Sequence, residues 1–317
     1  MPSTRGHTDD SSRVHNRDAL LGAVRNRMEA ELKASAAHQG GGLYIVATPI
    51  GNLSDITLRA LAILATSEII FAEDTRHSAH LLQHFQINTH LKSSHDHNED
   101  RRIDEILDRL SKGQRVAIIS DAGTPLISDP GYKIVRAAAT AGHNVYSVPG
   151  SSAVLAALTS SGLPTDTFLF AGFLPAKQAA RRRRLEGLAQ VPATLVFYEA
   201  PSRIAASCQD MAQILGYERF AVVARELTKR YEEIRRGPLV TLAGDISDAS
   251  LKGEMVVVVS PPPEVTITDD EIIAELSKRL PDQSLKDVAR AISDQHQVSR
   301  SKVYELGLAL KRQQQSS

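Results

Sequence analysis

Ser120-Asp121-Ala122-Gly123-Thr124-Pro125-Leu126-Ile127-Ser128-Asp129-Pro130-Gly131 follows directly on the apolar run Val116–Ile119. A short β-branched run of this kind reads as a strand, and the glycines and prolines after it turn the chain into a shaped loop. Gly131–Ala141 then has helical length and spacing. The same order recurs on either side. Upstream, Leu43–Ala47 runs into Thr48-Pro49-Ile50-Gly51-Asn52 and then the helical stretch Ile56–Leu64. Downstream, Val145–Val148 runs into Pro149-Gly150-Ser151-Ser152-Ala153, which opens another helix. With the strand-type run Glu68–Ala72 and the helical Arg101–Leu110, the alternation implies βαβ units and a mainly parallel sheet.

In an open α/β sheet, ligands bind outside the carboxyl ends of the strands. Glycine and proline there let backbone N–H and C=O groups approach a ligand closely. One such loop would be a tight turn and nothing more, but three at strand ends predict a pocket. The loops also exclude two chemistries. Neither a G-x-x-x-x-G-K-[ST] phosphate loop nor a G-x-G-x-x-G dinucleotide fingerprint after the first strand is present.

A second series of strand-type runs follows at Phe168–Gly172, Thr194–Tyr198, Ala221–Arg225, Glu232–Arg236 and Met255–Ser260. Its last members lie close together, which predicts a partly antiparallel sheet. The small-residue helix Ser151–Leu163 marks the break between the two series, and Pro261-Pro262-Pro263 is a stiff linker that ends the second. The organisation expected is an α/β protein with mixed sheets: an arm over 1–40, α/β domains over 41–152 and 153–260, and a helical tail over 264–317. The arm is polar, ends in Gly40-Gly41-Gly42 and is expected to be mostly disordered, with one short helix at Leu20–Leu32. The tail reads as helices at Asp269–Leu280, Leu285–His296 and Arg300–Lys311, with Ser284 and Ser299 as N-caps of the last two. Val288 and Ile292 then face one way, and Val303, Leu306 and Leu310 another. That pair is either a helix-turn-helix or, as the commoner arrangement, a helical hairpin packed on the main body.

The 317 residues suffice for about two domains, and no apolar run reaches the roughly 18–20 residues a bilayer span needs. The first residues lack a secretory layout, and a single cysteine, Cys208, cannot form an internal disulfide. The expected location is the cytoplasm, with no membrane contact. Lys plus Arg and Asp plus Glu both total 37, so any nucleic-acid contact must come from local patches.

SDAGTPLISDPG, the opening LYIVATPIGNLSD, FAEDTR after the second strand and FYEAPSRI together closely resemble the bacterial 16S ribosomal RNA cytidine 2′-O-methyltransferase family, part of the tetrapyrrole methylase superfamily. The resemblance runs from about Leu43 to Ser260. It implies two α/β domains of tetrapyrrole-methylase-like fold, S-adenosylmethionine in the cleft between them, and a homodimer. It also implies a substrate, 16S rRNA or the small ribosomal subunit, methylated on the 2′-oxygen of a decoding-region cytidine. Carried over motif by motif, it places the cofactor against Pro49, against Asp121, Ala122 and Gly123, and along Ser151, Ser152 and Ala153. Tyr198, Glu199, the stretch after Arg225 and Gly253 close over it from the second domain.

Glu73, Asp74 and Arg76 in FAEDTR read as a catalytic or RNA-facing constellation, or as an ion pair at a helix start; the resemblance points to function. It does the same for Lys229 in Arg225–Lys229. No residue pattern identifies the base that removes the hydroxyl proton. The run Arg181-Arg182-Arg183-Arg184 beside the cleft is read as an RNA phosphate contact, against the alternative of a solvated face. His77, His80 and His84 share a helical face and His95-Asp96-His97 follows, but no acid completes a metal site at standard spacing, so no metal is expected. Asn98 matches the family pattern and falls on the substrate side. Two rivals remain: a superfamily methylase of a corrin or porphyrin precursor, against which the arginines, the tail and SDAGTP speak, and a non-catalytic RNA-binding protein, whose loops should be eroded.

Overall fold

The computed structural model describes residues 10–37, 40–94, 99–247, 253–263, 267–296 and 298–315. They pack as two units, Met1–Pro261 and Pro262–Ser317. The first unit opens with α1 (Asp10–Ala37), a 28-residue helix that packs on a later helix, α2. The arm is therefore helical over most of its length, not disordered. Its Ala, Leu, Arg, Met and Glu residues are strong helix formers, and Arg27 pairs with Glu31 one turn on at 2.6 Å. Scarcity of large apolar side chains misled the sequence reading, because it bears on core formation more than on helicity.

The first sheet and its helices run β1 (Gly42–Val46), α2 (Leu58–Thr66), β2 (Ile69–Ala72), α3 (Thr75–His84), β3 (Leu91–Ser93), α4 (Glu99–Ser111), β4 (Arg115–Ile119), α5 (Tyr132–Thr140) and β5 (Val145–Val148). The strand order is β3-β2-β4-β1-β5, with every pair parallel. Alternate side chains feed two cores. Tyr44, Val46, Ile70 and Ala117 pack with Ile63 of α2 and Leu82 of α3. Leu43, Ile45, Phe71 and Val116 pack with Ile106 of α4 and Ile134 of α5. Burial on both faces is why these strands read as continuous apolar runs. The crossover from β1 to β2 passes β4, whereas that from β4 to β5 passes β1 in the other direction. The crevice between the carboxyl ends of β1 and β4 is thus the topological switch point, where ligands bind in such sheets.

Helix α6 (Ala153–Ser161) leads into the second sheet: β6 (Phe168–Phe173), α7 (Gln178–Glu186), β7 (Thr194–Glu199), α8 (Ile204–Leu215), β8 (Phe220–Arg225), β9 (Glu233–Pro238), α9 (Leu239–Ser247) and β10 (Met255–Val259). Its order is β6-β7-β10-β8-β9; only β6 and β7 pair in parallel, as the close spacing of the late strands implies. The central strand β10 is buried throughout. One face packs on α7, α8 and α9, the other on Val154, Ala157 and Leu158 of α6 and on Ile50 from the loop after β1. Ile50 thereby fastens the first sheet's ligand loop to the second sheet.

The second unit holds α10 (Asp269–Arg279), α11 (Leu285–His296) and α12 (Arg300–Gln315). Thr268 and Glu271 form a reciprocal capping box at α10, and Ser284 Oγ accepts the Asp287 N–H at 3.2 Å. Val288, Ile292 and Val303 lie in one core with Ile272 and Leu276, with Leu306 and Leu310 packed against it. The two apolar faces expected to point apart therefore converge, because α10 supplies the third wall. Among the described residues, no helix is long and apolar enough to cross a membrane.

Candidate active site

The loops after β1 and β4 lock together where the switch point predicts a ligand. Thr48 N–H donates to the Gly123 carbonyl at 2.9 Å and Gly123 N–H returns a bond to the Thr48 carbonyl at 3.1 Å. Gly123 sits at φ +82°, a left-handed conformation that residues with a Cβ adopt at a cost, and an added Cβ would lie 3.3 Å from Ile50 Cγ2. Leu126 and Ser128 are also left-handed, at φ +73° and +65°. Non-glycine strain of this kind gathers where a loop is held for a purpose.

Above these loops lies a cavity of about 440 Å³, in the range usual for small-molecule sites. The first sheet contributes Ile50, Glu73, Asp121, Ala122, Ser128 and Asp129, and α6 contributes Ala153. The second sheet contributes Phe173, Tyr198, Glu199, Ala200, Pro201, Ala224, Leu227, Glu254, Met255 and Val256. These are the carboxyl ends of β6, β7 and β8 and the amino end of β10, brought level by the pairing of Met255 with both Glu199 and Arg225. Both sheets bring acids and apolar side chains to the cavity, and none of the described residues lining it is basic.

The acids differ in their engagements. Asp121 Oδ1 accepts the Asp74 N–H at 3.1 Å, joining the β4 loop to the end of β2. Asp129 is half-buried; burial, then the charge of Glu73, then that of Asp121 push its pKa up to about 6, against a hydrogen bond from Ser120. Burial and the charge of Asp129 push the Tyr198 phenol up to about 12. Glu199 is buried and committed: it accepts from Ser207 Oγ at 2.5 Å and pairs with Arg203 at 2.8 Å.

The sequence-predicted cofactor residues fall in two groups. Asp121, Ala122, Ala153, Tyr198 and Glu199 line the cavity. Pro49, Gly123, Ser151, Ser152 and Gly253 are not among its lining residues. Pro49 is buried beside Ile50, and the Ser151 carbonyl accepts Thr124 Oγ1 at 3.2 Å. Ser152 caps α6, and Gly253, at φ +91°, leaves room for Glu226, which a Cβ there would strike.

Of the four candidate catalytic residues, Glu73 alone faces the cavity. Asp74 is the N-cap of α3, accepting the Arg76 N–H at 2.8 Å and pairing with the Arg76 guanidinium at 2.8 Å. Those bonds hold the Asp74 carboxyl down at about 2, and the Arg76 side chain is 90% exposed. Asp74 and Arg76 thus form an ion pair at the helix start. Lys229 bridges Glu226 at 3.0 Å and Glu254 at 2.9 Å. Burial pulls its pKa down, but hydrogen bonds to Glu254 and Glu226 outweigh that and raise it. Next to it Thr228 Oγ1 accepts the Asn52 N–H at 3.1 Å, tying the β1 loop to the second sheet.

The arginine run divides. Arg181 is buried and pairs with Asp210 through Nε at 2.8 Å and Nη2 at 2.7 Å, so it cannot reach a phosphate. Arg182 bonds Asp210 at 3.2 Å and Gln213 at 2.6 Å. Arg183 and Arg184 are exposed and line a shallow surface groove with Ala179 and Ala180. A helix turns about 100° per residue, so consecutive arginines cannot all face one partner. Asn98, with His95-Asp96-His97, lies outside the described residues. His77, His80 and His84 are exposed on α3, and among the described residues no three His, Cys, Asp or Glu groups converge as metal ligands.

Sequence reasoning passed over Asp129, Phe173 and Glu254 as individual site residues. Asp129 stands in the quoted loop, in an Asp-Pro-Gly turn that leads directly into α5 at Tyr132, and that placement was its signal. Phe173, 54% exposed yet tilted against Tyr198 at 5.4 Å, had none.

A family model described as tetrapyrrole (corrin/porphyrin) methylases matches residues 42–243. A ribosomal RNA small subunit methyltransferase I from Vibrio cholerae serotype O1 is 47% identical over 273 residues, 84% of this chain and 94% of its own. Among solved structures, the methyltransferase CobJ superposes with a TM-score of 0.53 at 20% identity, over 72% of this chain and 97% of that one. A uroporphyrin-III C-methyl transferase from Thermus thermophilus complexed with S-adenyl homocysteine does so at 0.50 and 17% identity, over 69% and 97%.

Proposed function

The chain belongs to the tetrapyrrole methylase family, and from that premise we propose that it methylates the ribose 2′-hydroxyl of a cytidine in the decoding region of 16S rRNA. Its methyl donor is S-adenosylmethionine. The cavity suits that donor: a sulfonium and an ammonium are cations, and the carboxyl groups of Glu73 and Asp121 at its wall would face them. Ala224, Leu227, Met255 and Val256 would offer an apolar wall to the adenine. When bound, the donor supplies an activated methyl group; the chain's task is to hold the acceptor oxygen in line with it, an effect worth up to about 7–11 kcal/mol.

The observation that carries the choice of substrate is the near-half identity to a small-subunit rRNA methyltransferase across almost the whole of that relative. The cleft adds to it. A corrin or porphyrin precursor is edged with carboxylates and would meet an acid-lined cavity with no basic side chain among its described lining residues. RNA instead keeps its phosphates outside, where Arg183 and Arg184 are exposed, and sends in one neutral nucleoside. Extruding a single nucleotide is the usual way an enzyme reaches an atom within structured RNA or DNA. The proposal includes a cytoplasmic homodimer acting on the small ribosomal subunit.

The test pairs the protein and labelled S-adenosylmethionine with small subunits lacking the modification, and in parallel with uroporphyrinogen. Label should enter the subunits alone. Replacing the target cytidine by 2′-deoxycytidine should abolish transfer, and methylation of the deoxy substrate would end the 2′-O assignment.

A further inference from the structure

A ribose hydroxyl is a poor nucleophile until its proton is taken, and Asp129 lines the cavity among groups that make it a good proton acceptor. We propose that the Asp129 carboxylate is the general base of the reaction. This inference rests on the 2′-hydroxyl reading above. As the ribose oxygen forms its bond to the methyl carbon, its proton passes to an Asp129 oxygen. The pair of the breaking carbon–sulfur bond stays on the donor sulfur, which becomes neutral, and Asp129 later releases the proton to solvent.

Geometry selects Asp129 by what surrounds it. It faces Glu73 from the end of β2, Ser120 and Asp121 from the end of β4, and Tyr198 from β7. Asp121 is held by the Asp74 N–H at 3.1 Å and serves to join two loops. Glu199 is taken up by Ser207 and Arg203, and Glu254 by Lys229. Tyr198, pushed up to about 12, stays protonated near neutral pH. Asp129 sits at the end of the segment in which Leu126 and Ser128 are left-handed, so the loop bears backbone strain to put this carboxylate at the cavity wall. Neighbouring negative charge and burial make it more basic than an ordinary aspartate, at about 6, where a base is largely ionised at neutral pH yet still binds a proton well.

The experiment compares wild type, D129N and D129E. For wild type, kcat/KM for small subunits should fall tenfold per pH unit below about 6. D129N should lose about 100-fold or more in kcat. D129E should keep a measurable part of it. Calorimetric affinity for S-adenosylmethionine should stay within about threefold in D129N. A readout independent of activity is the melting temperature. A carboxyl whose folded pKa is about 6, against 3.8 ordinarily, loses its stabilising effect as pH rises through that window. The gap in melting temperature, D129N minus wild type, should therefore grow between about pH 4 and 6 and level off above. Near-normal kcat in D129N, collapse of its cofactor affinity, or a flat melting gap would each overturn the proposal. Failure of the underlying reading is seen separately in wild type: a 2′-O-methyl group protects the adjoining phosphodiester from alkali, so an alkali-labile product would refute the acceptor whatever Asp129 does.

Discussion

The arginine run offers a sharp separation of a structural from a substrate-facing role, because neighbouring residues of one type are assigned opposite fates. Arg181 and Asp210 are 5% and 2% exposed in their side chains, and two of the Arg181 nitrogens contact one Asp210 oxygen. Arg181→Ala would strand a buried carboxylate with only Arg182 at 3.2 Å and Gln178 at 3.3 Å. Removing one partner of a buried pair costs about 3–5 kcal/mol, and those remaining contacts place this case at the lower end. About 3 kcal/mol corresponds to a fall in melting temperature of roughly 6–12 °C in a unit of this size. Arg183→Ala with Arg184→Ala removes two exposed side chains and should leave the melting temperature within about 1 °C. Its effect belongs to the salt dependence of subunit binding. Each phosphate neutralised on single-stranded RNA contributes a log–log slope of about 0.7, so losing two contacts should flatten the slope by about 1.4. Thermal denaturation and filter binding across a salt series measure the two effects. An Arg181→Ala variant that melts with wild type would refute the ion-pair assignment. An unchanged slope in the double variant would return Arg183 and Arg184 to an ordinary solvated surface.

Gly123→Val places a β-branched residue at φ +82° and a Cβ 3.3 Å from Ile50, so calorimetry should show at least a tenfold loss of S-adenosylmethionine affinity in a protein that still folds. Binding equal to wild type would move the cofactor elsewhere. Phe173→Ala removes an exposed ring from the cavity wall and should lower kcat/KM for subunits about tenfold, in keeping with a base–aromatic stack of about 1–3 kcal/mol. An unchanged kcat/KM would take Phe173 off the substrate's path. A chain ended at Pro263 should remain folded and bind the cofactor, since Met1–Pro261 is a compact unit of its own. Insolubility of that chain would show that the helical unit completes its core.

The sheets were legible because their evidence is local. Val116–Ile119 is apolar on both pleat faces, and the Gly and Pro residues after it mark where the backbone must turn, so strand, loop and pocket could be read together. β3 escaped notice because it is a three-residue edge strand, half-buried throughout, with no periodicity to detect. α1 was read only over Leu20–Leu32 because helical propensity was weighed below the lack of a core-forming face.

Side-chain roles were less legible than backbone ones, and the reason is geometric. A loop's shape is written in the residues of the loop, whereas an ion pair is decided by a residue far along the chain. Asp210 lies 29 positions after Arg181, and nothing near the arginines announces it. Yet part of the answer was present. Leu185, one helical turn beyond Arg181, is fully buried, and Leu188 lies on the same inward side. A helix that buries position 185 also carries position 181 inward, and positions 183 and 184 away from that axis of contact. An arginine on the apolar stripe must find a buried acid, for a lone guanidinium there would be prohibitive. Helical phase thus separates Arg181 from Arg183 before any partner is known, and leaves only Arg183 and Arg184 of the run on the exposed side of α7.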